Sequence, residues 1–373
     1  LSLKKSFRVS IFVFLVLFSI SSAAFAGASI EVKDALGHKF VSPEKVEKVI
    51  CSGSGCLRLL TYLQGQRMIS GVEDIEKRST SIDPRPYFFA NPFFKDLPLI
   101  GEFRGRTRPE LVVSLETLPQ VIFKTYPEAG TPAVKLQEAT GIPVIPLQYG
   151  NLFNKKEDLY SSIRTMGAVI GKTERAEEVV SFMEETIKDL AARTKDLDTA
   201  SRKTAYVGGI AYRGPHGICS TEEGYPPFAF TGTRNVAFAG EDLKASASHA
   251  DVSREKILEW NPEVIFIDLS TLNAPKEASA LEDLRNDSLW QGLKAVKSGE
   301  VYGVLPYNWY TQNFGNILAD SYFVGKVLYP ERFKDVDPAV KAGEIFSFLV
   351  GEDVFDKMDG IFDNLVFRKL ELH

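Results

Sequence analysis

The amino-acid sequence predicts an α/β protein of two lobes, each built on a parallel sheet covered by helices, with a long helix between them. Three observations lead there. The chain has 373 residues, 44% hydrophobic and 25% charged, enough for about two domains with sizeable cores. Short apolar runs alternate with segments of helical period along most of its length, the pattern of parallel strands joined by crossover helices. From Glu157 to about Leu197 the alternation stops, and charged and apolar residues mix at helical period with no proline and with glycine only at 167 and 171.

The first 26 residues read as an export signal. Lys4, Lys5 and Arg8 precede an apolar run from Val9 to Ile20, followed by Ala24-Phe25-Ala26 before Gly27. A membrane anchor is the alternative, but the run is short for a span. The expectation is cleavage near Ala26. No cysteine follows the run to accept a lipid, so the mature protein is expected to be soluble and not a lipoprotein. Those residues carry no acid. Without them 41 basic residues face 49 acidic ones, a net charge of −8, which disfavours nucleic acid and anionic membranes as partners.

Residues 27–155 form the first expected lobe. Val46 to Cys51 reads as a buried strand and Ser52-Gly53-Ser54-Gly55 as a tight loop, with Leu57, Leu59, Leu60, Tyr62 and Leu63 as the apolar positions of a helix. Met68 to Val72, Val121 to Lys124 and Pro143 to Leu147 read as further strands, and Thr131 to Thr140 as a helix stopped by Gly141. Residues 156–198 read as the linking helix, either continuous or as two pieces joined near Gly171 and Lys172. Residues 199–373 form the second lobe, with strands at Thr204 to Gly208, Val264 to Asp268 and Val301 to Leu305. A weak echo relates the lobes: Arg108-Pro109-Glu110 starts a helix leading to Pro119 and the strand at Val121, and Arg254-Glu255 starts one leading to Pro262 and the strand at Val264.

Three cysteines, Cys51, Cys56 and Cys219, cannot all pair within the chain. Cys51 and Cys56 are either a bridge or two buried thiols. There is no Cys-x-x-Cys pair, which removes zinc ribbons and thioredoxin-type redox chemistry.

At these motifs the chain resembles the periplasmic substrate-binding proteins of ABC importers for ferric siderophores, haem and cobalamin. Asp34-Ala35-Leu36-Gly37-His38, Val49-Ile50, Gly71-Val72-Glu73 and Gly141-Ile142-Pro143-Val144 resemble the family's first lobe, and Gly171-Lys172-Thr173-Glu174-Arg175-Ala176 its linker helix. The most specific stretch runs from Val252-Ser253-Arg254-Glu255 to Trp260-Asn261-Pro262; Ala295 to Tyr302 and Leu328-Tyr329-Pro330-Glu331 continue it. The resemblance covers essentially all of the chain after the export signal. It implies two Rossmann-like lobes with parallel sheets joined by a single long α-helix, the helical-backbone metal-chelate receptor type. It also implies a periplasmic monomer without cofactor or enzymatic activity, partnered by an ABC permease and its ATPase subunits. One glutamate per lobe docks on the permease in that family, and position assigns the role to Glu110 and Glu255. The spacing to the following proline is nine residues for Glu110 and seven for Glu255, so the first-lobe register is the looser of the two.

Ligands of such proteins lie between the lobes, on loops at the carboxyl ends of the strands. That rule nominates Ser54, Arg85, Tyr87, Arg104, Tyr126, Tyr149, Tyr212, Arg213, His216, Tyr225, Tyr307, Trp309 and Tyr310. Tyrosine and tryptophan supply flat, stiff surface for an organic chelate, and arginine a planar fork for its anionic oxygens. By resemblance, Arg104 stands where the cobalamin-binding member has a cleft tryptophan, which favours a more anionic ligand. The expected cargo is a metal chelate, a ferric siderophore before cobalamin or haem, with a bare oxyanion or an unchelated metal third.

His38, His216, His249 and His373 are scattered in the sequence, which argues against a bare zinc site. No direct metal ligand is assigned, and His216 alone stands as a candidate chelate contact or axial haem ligand. A secreted hydrolase is the remote alternative. Gly53-Ser54-Gly55 misses the Gly-x-Ser-x-Gly spacing because Ser52 stands where the first glycine should be, and no Gly-Lys-Ser/Thr follows to make a phosphate loop. Its backbone N–H groups are still expected to suit an anionic ligand oxygen.

Overall fold

The computed structural model describes residues 30–33, 39–42, 45–78, 80, 82–198, 202–212, 214, 216–238, 249–275 and 278–372. The expected export signal, the segment from Asp34 to His38, Arg213 and His373 lie outside them.

The chain opens with an antiparallel hairpin, β1 (Ile30–Lys33) and β2 (Lys39–Ser42). The first lobe then runs β3 (Val49–Ser52), α1 (Cys56–Tyr62), β4 (Val72–Glu73), α2 (Pro86–Ala90), β5 (Leu99–Glu102), β6 (Arg106–Thr107), α3 (Pro109–Val113), β7 (Val121–Thr125), α4 (Ala133–Thr140) and β8 (Val144–Leu147). Strands β3, β7 and β8 form a parallel sheet in that order, with Val49 opposite Val121 and Ile122 opposite Val144. Every residue of these strands is buried, because helices cover both faces, and this is why they read as unbroken apolar runs. The expected strand Met68 to Val72 is instead a 3-10 turn, Gln66–Met68, followed by the short β4, which pairs with β5.

The linker is two helices in series, α5 (Lys156–Val169) and α6 (Thr173–Thr194). The break falls at Gly171, whose φ of 68° lies in the left-handed region that glycine adopts without strain. Helix α5 packs on α1 and β1 of the first lobe, while α6 carries the chain onward.

The second lobe comprises β9 (Thr204–Gly208), β10 (Ser220–Thr221), α7 (Pro226–Phe230), β11 (Arg234–Asn235), β12 (Ala250–Asp251), α8 (Arg254–Trp260), β13 (Val264–Asp268), α9 (Ala280–Asn286), α10 (Lys294–Ser298), β14 (Val301–Val304) and α11 (Phe314–Leu328). Its parallel sheet has the order β11-β9-β13-β14, and β10 and β12 form a separate antiparallel ribbon. Two last helices, α12 (Pro338–Val350) and α13 (Phe355–Ile361), turn back: α12 packs on α1 and α2 as well as α11, and α13 on α2. Residues expected in the second lobe thus stitch the lobes together. Arg175 of α6 strengthens the join by donating to the carbonyls of Tyr62 (3.1 Å) and Phe348. Cys51 and Cys56 are free, buried thiols.

Candidate ligand-binding cleft

The carboxyl ends of both sheets open onto one cleft. Ser54 lies beyond β3, Tyr126 beyond β7, Gln148 to Lys155 beyond β8, Tyr212 beyond β9 and Tyr307 to Gln312 beyond β14, and all of these loops contribute to the cleft walls. The Tyr307 to Gln312 segment divides the space into two cavities, and Asn308 and Thr311 line both. Four residues at its walls, Arg104, Tyr126, Tyr310 and Thr311, hold φ values between 49° and 64°. Such backbone strain in non-glycine residues concentrates where a site over-determines the chain.

The first cavity, of about 430 Å³, is lined by Ser54, Arg78, Phe103, Arg104, Tyr212, Trp309 and Tyr310 among others. Phe103 anchors its cationic wall: the Arg78 guanidinium lies 4.4 Å from the ring centroid and that of Arg104 5.1 Å. Arg78 also pairs with Asp74 at 2.6 Å. No described carboxylate pairs with Arg104, whose backbone N–H donates to the Tyr310 hydroxyl at 3.2 Å. The second cavity, of about 410 Å³, is amide-rich and carries charge of both signs: Gln148, Asn151, Asn154, Lys155, Asp158, Glu222 and Gln312 line it, with Tyr126, Tyr149 and Tyr307.

The dividing segment is moored to the first lobe by Arg58 of α1. This fully buried guanidinium donates to Tyr149, to the Gln312 carbonyl at 2.7 Å and to the Trp309 carbonyl at 3.3 Å. Tyr149 donates to the same Gln312 carbonyl at 2.7 Å, and Tyr126 shares a 2.8 Å hydrogen bond with Thr311. Gly55 (φ 78°) must be glycine, since a Cβ there would collide with the Tyr149 ring. Tyr310 donates to the buried carboxyl of Glu73, which also accepts from the backbone of Gly53 (2.8 Å) and Gly105 (3.0 Å). The expected anion-receiving loop therefore has its Gly53 N–H already committed to an internal carboxyl. Burial pushes Glu73 up to about 7, against the opposing pull of these donors and of Lys124. Glu222, likewise buried and accepting from Tyr307, is pushed up to about 8.

Of the residues nominated from sequence, Ser54, Arg104, Tyr212, Trp309 and Tyr310 meet at the first cavity and Tyr126, Tyr149 and Tyr307 at the second. His216 sits behind Tyr212, its Nε2 2.8 Å from the Tyr212 carbonyl. Three others are elsewhere. Arg85 is buried in ion pairs with Glu76 (2.9 Å) and Asp83 (2.7 Å), and Tyr87 donates to Glu76 at 2.7 Å, so both are structural. Tyr225 packs in the core against Phe228 and Tyr307. Arg106 and Arg108 form surface pairs with Glu102 and Glu110. Glu255 is exposed in the first turn of α8, where the backbone N–H and Ser253 hold its carboxyl below the usual range.

Sequence reasoning missed Arg58, Arg78, Phe103 and, Tyr149 apart, the Gln148 to Lys155 wall. Arg58 left a trace, since a helix apolar at 57, 59, 60, 62 and 63 is buried all round and must bury its arginine too.

A periplasmic binding protein family model matches residues 115–307. Among characterised proteins, the molybdate-binding protein MolA of Haemophilus influenzae is 23% identical over 349 residues, covering 88% of this chain and 92% of MolA. An iron-uptake system-binding protein of Bacillus subtilis is 28% identical over 212 residues, 56% of this chain and 62% of that protein. A periplasmic solute binding protein of Veillonella parvula superposes with a TM-score of 0.69 at 18% identity, over 90% of this chain and 96% of that one. That likeness matches the two-lobed α/β fold.

Proposed function

We propose that this chain, which belongs to the periplasmic binding protein family and so is a non-enzymatic solute-binding component of an ABC transporter, captures an anionic metal chelate, a ferric siderophore first, in the periplasm and delivers it to the permease. The observation that carries this reading is the wall of the first cavity: two arginines, four aromatic side chains and no carboxylate among the described lining residues. Planar guanidinium forks suit catecholate or carboxylate oxygens, and rigid rings suit the organic body of a chelate. A bare oxyanion such as the ligand named for MolA would leave most of a 430 Å³ aromatic space unfilled, whereas pockets of that size suit larger organic ligands. Cobalamin, whose neutral corrin would make little use of the arginines, and haem rank second.

Titration of intrinsic fluorescence with a ferric siderophore, haemin, cobalamin and molybdate at two salt concentrations tests the reading. The expected result is saturable siderophore binding whose association slows as salt rises, because the cationic wall steers an anion. Tight binding of cobalamin alone, or of molybdate alone, overturns it.

Delivery is assigned to Glu255 and, more weakly, Glu110. Glu255 stands exposed at a helix start with no described cation paired to it, whereas Glu110 must first leave Arg108 at 2.8 Å. Glu255→Arg is expected to abolish uptake while ligand affinity stays unchanged. Loss of binding by the purified variant would refute the placement.

A further inference from the structure

The four histidines are dispersed along the sequence, yet folding brings two of them together. His216 and His249 have ring centroids 5.5 Å apart, and with Asp251 they form a group whose potential ligand atoms all lie within 4.8 Å of one another. None of the three lines either cavity. We propose that His216, His249 and Asp251 form a site for a divalent transition-metal ion of the zinc, nickel or cobalt class, separate from the chelate cavity and directly behind its Tyr212 wall.

The ribbon of β10 and β12 builds the site. Ser220 pairs with Asp251 across it, and His249, immediately before β12, has its Nε2 3.7 Å from Asp251 Oδ1. His216 enters from the turn before β10, closed by the Ser220 N–H to Gly217 carbonyl bond of 3.0 Å.

Hydrogen bonding fixes the tautomer of His216. A carbonyl only accepts, so His216 Nε2–H must donate to Tyr212 (2.8 Å), which leaves Nδ1 with the lone pair in the neutral ring. The Ser220 hydroxyl spends its proton on the Ile210 carbonyl at 2.7 Å and holds His249 Nε2 at 3.1 Å; that nitrogen, the one 3.7 Å from Asp251, takes the ion in exchange for its proton. His216 therefore has one nitrogen anchored and the other available, the outer-shell arrangement that metal-binding histidines use, while His249 has its donor nitrogen beside Asp251.

Donors on a tetrahedral ion with bonds of about 2.1 Å lie about 3.4 Å apart, so the gap closes by side-chain rotation. Asp251, 65% exposed, has the freedom to make it, while His249, 13% exposed, is the fixed point, held by ring stacking on Tyr212 at 4.4 Å. Two nitrogens and one carboxylate select borderline transition metals over calcium or magnesium, and water completes the shell.

The test is equilibrium dialysis of the untagged, chelate-free protein against Co²⁺, Zn²⁺ and Mg²⁺, with the visible spectrum of Co²⁺ as second readout. Saturation at one Co²⁺ or Zn²⁺ per chain, unmoved by excess Mg²⁺, is expected. His216→Ala and His249→Ala should each weaken it by at least about tenfold. Asp251→Asn, at an exposed side chain, keeps the test valid if a histidine variant folds poorly: it should remove the rise in melting temperature that Zn²⁺ gives the parent protein. Sub-stoichiometric binding, or affinity unchanged in these variants, overturns the site. Because no chelate is present, that outcome leaves the proposed cargo untouched.

Discussion

The two cavities share one dividing segment and nearly equal volumes, about 430 and 410 Å³, yet their chemistry is opposite. Among the described lining residues the first presents arginine and aromatic rings without a carboxylate; the second mixes amides with Lys155, Asp158 and Glu222. An anion entering the first meets Arg104, which no described carboxylate pairs with, and Arg78, which Asp74 already holds at 2.6 Å. In the second it meets both signs at once, and Glu222, buried and pushed up to about 8, is a neutral acid near neutral pH. Volume does not distinguish these spaces as binding sites; the arrangement of charge does.

The largest expected effect comes from removing what keeps the cavities apart. Arg58→Leu strips the Tyr307 to Gln312 segment of its buried donor and leaves the Gln312 and Trp309 carbonyls short of a partner. A loss of about 3 kcal/mol of stability is expected, since hydrogen bonds to a charged group contribute about 1.5–3 kcal/mol each, while Tyr149 and Asn313 still donate to these two carbonyls. A melt that matches the parent protein would show that the segment is held by other means.

The next test sets the cavities against each other. Arg104→Ala is expected to weaken siderophore binding by about 2 kcal/mol or more, the scale for truncating one partner of a desolvated charged contact. Lys155→Ala, in the second cavity, should change it by less than about 0.5 kcal/mol. Equal effects in calorimetric titration would erase the distinction. Trp309→Ala should cost about 2 kcal/mol if the ring is an anchor, and because Arg58 and Asn313 hold the Trp309 backbone carbonyl rather than the ring, the fold should survive.

Legibility differs along the same divide. Thr204–Gly208 and Val264–Asp268 coincide with the strands read from sequence, because a strand buried on both faces must be apolar throughout and turn residues bracket it. The strand at Val46 to Cys51 slides to Val49–Ser52: Val46 is buried but lies outside the ladder, and burial is all that periodicity detects. At the cleft, Arg104 and Tyr307 to Tyr310 were legible as loop aromatics and cations at strand ends. Arg85 and Tyr87 have the same residue types in a comparable loop, but Glu76 and Asp83 claim them, a partnership that local sequence does not reveal. His216 and His249 stand 33 positions apart, and only the pairing of β10 with β12 makes them neighbours.

The smallest expected effect is a pH dependence, and it concerns the carboxyl beneath each cavity. Glu73, under the first, is pushed up to about 7 and Glu222, under the second, to about 8, in both cases chiefly by burial. The free side chain titrates near 4.3, so between about pH 4.5 and 8 the folded protein binds more protons than the unfolded chain. Stability from these two groups is therefore complete below about pH 4.5 and is lost as pH rises through 7 and 8. Glu73→Gln and Glu222→Gln should each flatten that decline, measured as the change in denaturation midpoint between pH 5 and 8. Ligand affinity should separate the two. Glu73 approaches the first cavity through the Tyr310 hydroxyl, so its ionisation adds negative charge under the anionic cargo, and binding should weaken through about pH 7 in the parent protein and stay level in Glu73→Gln. Glu222→Gln should leave the pH dependence of binding as it was, and a reversal of those two outcomes would move the cargo to the second cavity.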